Sequence, residues 1–308
     1  MQTTTVTLKS LIDRTLFELE AATEKGVPLV MSSLNRLESA VDKEFALTAG
    51  EMQVSDICEF GAELMLVTGK SAATTPVYTV QRGYYNTTAA SSYAGGTVGH
   101  ANPQFPRRRV ADFVDRARTR LEALGIPFVT ATQVTRTTGL RQVEVPAGAR
   151  QVLQLMYVNA TSGRILELDN WFEYDNMPSA VSSTGKLLHL PLYVADSDVL
   201  TMVYTAPYQW GDPGFPDEAA TLEVPSGAED LPVAYAAALA VGGREISRQQ
   251  LDRAEEWSQT EPLRGNGGGA LVRAKWQDFY RALDEARRVV QLEVPTVRPL
   301  VKRPKVRI

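Results

Sequence analysis

The chain has 308 residues, room for about two domains at roughly 150 residues each, and its 44% apolar and 22% charged residues are ordinary globular usage. That composition excludes chain-wide disorder and supplies more than one core, while a formal charge of −4 excludes a generally basic nucleic-acid binder but not a local basic patch. A single cysteine, Cys58, excludes an intrachain disulfide and argues against a cysteine-built zinc site, and two histidines, His100 and His189, leave little for histidine catalysis or metal binding.

The start, Met1-Gln-Thr-Thr-Thr-Val, has no basic region followed by an apolar one, so it does not read as a secretory signal. One free thiol fits synthesis in a reducing cytoplasm. No apolar run approaches the roughly 20 residues of a membrane span. Thr7 can cap a helix whose Leu8, Leu11, Ile12, Leu16 and Leu19 recur at spacings of three and four, ended by Gly26 and Pro28. Short alternating runs follow around Phe45, Ile57, Leu64 and Tyr78, punctuated by Gly50, Gly61, Gly69 and Gly83. They predict a small β-barrel or sandwich-like module over 27–106, closed by Pro103 and Pro106.

Residues 107–124 carry the next helical stripe: Val110, Phe113, Val114, Ala117, Leu121 and Leu124, stopped by Gly125 and Pro127. A second β region over 127–228 has its clearest strands near Val143, Val152, Leu187 and Leu200 and reads as an antiparallel sandwich rich in Tyr and Trp. Asp230 can cap an Ala-rich helix over 233–250, residues 262–269 read as a Gly-rich hinge, and a last helix spans 270–290. Residues 292–308 contain three prolines, which predict an extended arm. Residues 298–308 hold five basic residues and no acid, which leaves the rest of the chain at −9; an acidic body with a basic arm reads as an interaction tail. The mixed apolar–basic arm can add a strand or fill a groove on an acidic partner, with a solvated tail as the alternative.

No catalytic constellation stands out. Gly265–Gly269 lacks the Lys-Ser or Lys-Thr of a phosphate loop and reads as a hinge. His189 alternates with Leu188 and Leu190 and is expected on the outer face of an edge or surface strand. Asp212, Asp217 and Glu218 match no calcium loop and read as a solvated loop. Nothing near Ser92 or Ser182 resembles a nucleophile elbow. The arginines of 107–120 alternate with Asp112, Asp115 and Glu122 and read as a salt-bridged surface. Glu167, Asp169, Glu173 and Asp175 supply acids for a hydrolase but read as strand or loop surface. Tyr157, Trp171, Tyr174, Tyr193, Tyr204, Tyr208 and Trp210 are a candidate glycan platform, with strand-core packing as the commoner use of such residues.

One stretch carries a resemblance. Ile57-Cys-Glu-Phe-Gly-Ala-Glu-Leu-Met-Leu-Val-Thr, followed by Tyr78-Thr-Val-Gln-Arg-Gly-Tyr-Tyr-Asn-Thr-Thr-Ala-Ala-Ser-Ser-Tyr-Ala-Gly-Gly-Thr-Val98, resembles a module in virion proteins of tailed bacteriophages. Glu63, Val67, Val80, Arg82, Gly83, Thr87, Ala89, Ala90, Gly95 and Val98 match its pattern. Asn86 stands where Gly is usual and Tyr93 near the usual His; Asn tolerates left-handed backbone angles. The resemblance continues into Asn102-Pro-Gln-Phe-Pro-Arg, which in such virion proteins leads into a helix; the Ala-rich late helix with Gly243-Arg-Glu is similar to neck proteins of the actinobacteriophage type, and these motifs cover about a quarter of the chain. Glu63 and Arg82 are a candidate pair across the sheet, with a solvated Glu63 as the alternative.

The resemblance implies a head–tail connector (adaptor), non-enzymatic and without cofactor or metal. The implied class is α+β, with a helical ring-forming core from the N-terminal (1–26), middle (107–126) and late (229–291) helices, two inserted antiparallel β modules and the arm. Its partners would be its own copies in a ring of about twelve, the portal, a tail-side neck or stopper protein, and genomic DNA passing through without sequence-specific binding; an acidic body lowers phosphate affinity. The arm residues Arg298, Leu300, Val301, Lys302, Arg303, Lys305, Val306, Arg307 and Ile308 would bind the portal or a neighbouring ring. The implied location is the virion neck. The alternative is a tail or baseplate protein that binds host-surface glycans.

Overall fold

The computed structural model describes residues 3–20, 27–134, 141–158, 162–168, 171–190, 199–256 and 266–293. A strand, β1 (Thr3–Thr7), runs directly into α1 (Leu8–Glu20). Thr7 Oγ1 accepts the Ser10 N–H at 3.2 Å, which is the expected cap. Leu8, Leu11, Ile12 and Leu19 are buried along the α1 stripe.

The chain then forms β2 (Val27–Met31), β3 (Glu44–Ala49), β4 (Ile57–Phe60), β5 (Glu63–Lys70), β6 (Val77–Gln81) and β7 (Val98–Ala101). They close into an antiparallel barrel in the order β2-β3-β6-β5-β4-β7. Closure leaves no free sheet edge. The strands turn Leu29, Met31, Phe45, Phe60, Met65 and Tyr78 into a core of their own, where Phe45 and Phe60 meet edge-on at 5.7 Å.

The barrel leads into α2 (Arg107–Leu121), which buries Val110, Phe113, Val114, Ala117 and Leu121. Next come β8 (Phe128–Val134), β9 (Gln142–Glu144), β10 (Gln151–Val158), β11 (Ile165–Glu167), β12 (Phe172–Tyr174), β13 (Leu187–His189) and β14 (Val199–Ala206). They make a four-stranded sheet, β11-β10-β14-β8, and a three-stranded one, β12-β13-β9. Val143 and Leu188 of the smaller sheet share a core with Val152, Leu155, Leu200 and Met202 of the larger, so the two form a sandwich. His189 lies on β13, the central strand of its sheet and so not an edge strand, and is half-buried between buried Leu188 and Leu190, in keeping with the surface-strand alternative.

A final strand, β15 (Thr221–Pro225), pairs antiparallel with β1, Thr3 opposite Pro225. Then follow α3 (Leu231–Glu256) and α4 (Asn266–Glu293). α3 lies against α1, α2 and α4. Leu8, Val114, Leu222, Ala236 and Phe279 belong to one core, so segments far apart in sequence share it. α4 begins at Asn266, so Gly267, Gly268 and Gly269 lie in its first turn and not in a hinge, while residues 262–265 lie outside the described residues.

The expected helical ring-forming core is overturned. The described helices make up 27% of the chain, and among the described residues a closed six-stranded barrel plus further antiparallel sheets make up the larger architecture. The reason is energetic: the barrel and the sandwich each bury a core of their own, so neither is a decoration on a helical body.

Candidate functional site

At the barrel wall, Glu63 begins β5 and Arg82 follows the last residue of β6, and both side chains are buried, at 1% and 5% exposure. Arg82 Nε donates to Glu63 Oε1 at 2.6 Å and Nη2 to Oε2 at 2.8 Å, a two-pronged ion pair. The remaining guanidinium hydrogens reach the carbonyls of Ser39 (3.0 Å), Asp42 (3.1 Å) and Ala90 (2.9 Å). Glu63 also accepts the Gly83 N–H (3.1 Å) and the Ala90 N–H (2.9 Å), and the Tyr93 hydroxyl lies 2.8 Å from its Oε2. The alternative of a solvated Glu63 is therefore excluded.

A carboxylate offers about four lone-pair positions, and donors from Arg82, Gly83, Ala90 and Tyr93 occupy them. Burial alone would raise the Glu63 pKa, but these hydrogen bonds more than reverse it and hold the carboxyl below its ordinary range. Burial first, and then the Glu63 charge, push the Tyr93 hydroxyl upward and raise the Cys58 thiol to about 12. The cluster is chemically quiet. It is an anchor that fastens the loop at 39–42 and the stretch at 87–93 to the barrel.

What the anchor displays is a turn. Gly83 has φ 64°, Tyr85 φ 57° and Asn86 φ 60°. A tyrosine in the left-handed region is costly and needs neighbours that impose it. Here the Gly83 N–H is held by Glu63, and Thr87 Oγ1 donates to the Tyr84 carbonyl at 2.9 Å while accepting the Leu64 N–H at 3.0 Å. Tyr85 stands 65% exposed at the tip.

A second polar arrangement joins the barrel to the helices. The residue before α2 is Pro106, which supplies no side-chain cap. Glu59 of β4 fills that role from 48 residues away, accepting the Arg107 N–H at 2.6 Å. The Arg107 side chain grips both oxygens of Glu218 at 2.9 and 3.0 Å and Asp13 of α1 at 2.6 Å. Glu218 is thus a half-buried ion-pair partner, whereas Asp212 and Asp217 of the same loop are exposed as expected. Burial pushes Glu59 up to about 7, aided by the Glu218 charge and opposed by Arg107.

The other candidates are dispersed. Trp171 is buried in the sandwich core with Tyr157 and Tyr204 packed against that core, the Tyr208 hydroxyl donates to the Ile126 carbonyl, and Trp210 Nε1 donates to Asp115; Tyr174 is 40% exposed, and Tyr193 lies outside the described residues. Glu167 and Glu173 lie in different sheets, and Asp169 is outside the described residues. Ser182 is buried with Oγ 2.9 Å from Glu144 Oε1. Arg108 and Arg118 of α2 pair with Asp112 and Asp115, while Arg109 and Arg116 lie over the Phe113 ring. Among the described residues no group of three His, Cys, Asp or Glu is placed to hold a metal ion, and no helix is long and apolar enough to cross a membrane. The arm residues Arg298, Leu300, Val301, Lys302, Arg303, Lys305, Val306, Arg307 and Ile308 lie outside the described residues.

The role of Glu59 had no local signal, because its partner is a backbone N–H distant in sequence. The Glu63–Arg82 pair did have one, in the Arg-Gly run and the preceding Glu. A scan against protein-family models finds no match, and neither does a search of the curated proteins.

Proposed function

We propose that the chain is a structural, non-enzymatic head–tail adaptor of a tailed bacteriophage. Copies of it, about twelve, form a ring under the portal that joins capsid to tail and continues the DNA channel. The portal lies on one side and a neck or stopper protein on the other, and genomic DNA passes through without sequence-specific contact. The observation that supports this reading is the convergence of the residues behind the virion-protein resemblance. Glu63, Arg82, Gly83 and Ala90 share one hydrogen-bonded cluster, Val67 faces Val80 in the ladder, and Gly95 lies so close to Ser33 that a Cβ there would be 2.4 Å from its Cα. The two departures fit the same role: Asn86 takes a left-handed angle, and Tyr93 supplies a donor to Glu63.

The arm residues from Arg298 to Ile308 are proposed to hold the portal or a neighbouring ring. The test is a phage carrying a nonsense codon in this gene. The adaptor reading expects DNA-packaged heads and finished tails that do not join, restored by the intact protein. Tailed, infectious particles made without the protein would overturn it.

A further inference from the structure

A groove of about 620 Å³ lies between α1, α3 and α4. Its floor includes Val233, Ala234 and Ala237, and Phe17 stands at its rim 76% exposed. Two ion pairs line it, Arg14–Asp230 and Lys275–Glu18, and Asp13, paired with Arg107, adds a third. In each the cation is the more buried member: 41% exposed against 76%, 16% against 52%, and 18% against 49%. The carboxylates therefore face outward with lone pairs to spare. Asp278, 58% exposed and 3.8 Å from Arg281, adds another. An apolar floor, an exposed aromatic and an acidic lip call for a segment that is both apolar and basic.

We propose that this groove is the seat of the chain's own C-terminal segment, residues 296–308. That segment supplies five cations and no acid, interleaved with Leu300, Val301 and Val306. Reach is sufficient. α4 leaves the groove at Ala282 and ends at Glu293, about 16 Å further along at 1.5 Å per residue. The residues after it, 294–308, span up to about 50 Å when extended. Tethering sets a local concentration in the millimolar range, above that of a free second copy at micromolar protein. Guanidinium–carboxylate bonds at the lip and an arginine over Phe17 would give the contact its polarity, and the aliphatic side chains its depth. Any external partner of the arm then competes with the groove for it. This inference stands on the groove and the segment's composition and does not depend on the adaptor reading.

The test uses the full chain with paired cysteines, Ala234→Cys with Leu300→Cys, Val301→Cys or Val306→Cys in turn, oxidised at micromolar concentration. Buried Cys58 stays out of the reaction. The expected result is an intrachain disulfide in the monomer for at least one pair. It should form about tenfold faster than with Val41→Cys, on the exposed barrel loop, as the partner, and about fivefold slower when Asp230→Asn and Asp278→Asn are added. Covalent dimers would make a second copy the occupant and overturn the proposal, as would rates equal to the Val41→Cys control. Should Ala234→Cys disturb α3, trypsin on the native chain gives the same answer. Cleavage of the arm is expected about fivefold faster in the Asp230→Asn, Asp278→Asn variant, and an unchanged rate overturns the proposal.

Discussion

Replacing Arg82 with methionine tests whether the Glu63–Arg82 cluster is the anchor of the barrel. The side chain is 5% exposed and its guanidinium makes two bonds to Glu63 and one each to the carbonyls of Ser39, Asp42 and Ala90. Without it Glu63 is a buried anion left with Gly83, Ala90 and Tyr93 as donors. Removing one member of a buried ion pair costs about 3–5 kcal/mol, and the three surviving donors place the expected loss near the middle, about 4 kcal/mol. None of the four tryptophans falls within residues 27–101, the stretch that forms the barrel, so their fluorescence is a poor reporter. Amide hydrogen exchange in β5 and β6 reads the barrel directly. Protected amides there should exchange about 10³-fold faster in Arg82→Met, since each 1.4 kcal/mol is a factor of ten. Adding Glu63→Met should recover most of the loss, because no uncompensated charge remains. Arg82→Lys should recover little, since an ammonium cannot reproduce the fork. An Arg82→Met change below about fivefold, or no recovery in the double variant, would refute the reasoning.

Glu59 makes stability depend on pH. Its folded pKa of about 7 exceeds the ordinary 4.5, so the native state holds the proton more tightly, and this contribution is full below about pH 4.5 and lost as pH rises through about 7. Glu59→Gln should remove a slope worth about 3 kcal/mol across that window and stabilise the protein at pH 8, checked by urea midpoints; a slope unchanged in the variant contradicts the assignment. Gly95→Ala places a Cβ 2.4 Å from Ser33 Cα and should cost about 1–3 kcal/mol, read as faster exchange in β7 and around residue 33; a neutral substitution would show that the loop yields. Arg107→Met breaks the contacts with Glu218 and Asp13 and should cost about 2 kcal/mol in a urea melt, with Glu218→Gln adding little once Arg107 is gone; additive losses would contradict the coupling. Cys58, buried with its thiol pushed up to about 12, should react with a disulfide reagent only at the rate of barrel unfolding; labelling within seconds in native buffer would contradict the closed core.

Helix positions were legible because three-and-four spacing is strong in α1, α2 and the later half of α4, and the same leucines and aromatics are the buried ones. Alternation punctuated by glycine made the barrel legible, and Gly50, Gly61 and Gly83 do sit at positive φ. The balance between the parts was not. Helical stripes advertise a buried face, but barrel closure depends on pairings such as β2 with β7, which no local pattern encodes. β1 was hidden because Thr3, Thr4 and Thr5 offer no apolar alternation, and β15 because it ends in Pro225; each is fixed by the other. The expected pair of Glu63 and Arg82 was readable from the Arg-Gly run, whereas Glu218 passed for loop charge because its partner, Arg107, lies 111 residues away.

The measurement that bears most directly on the proposed function is cryo-EM of purified virions, with this chain located by fitting its barrel and sandwich to the density. The adaptor account predicts a ring between portal and tail tube, with residues 298–308 against the portal or a neighbouring ring. Density for the chain at the tail tip or on the capsid surface would contradict it.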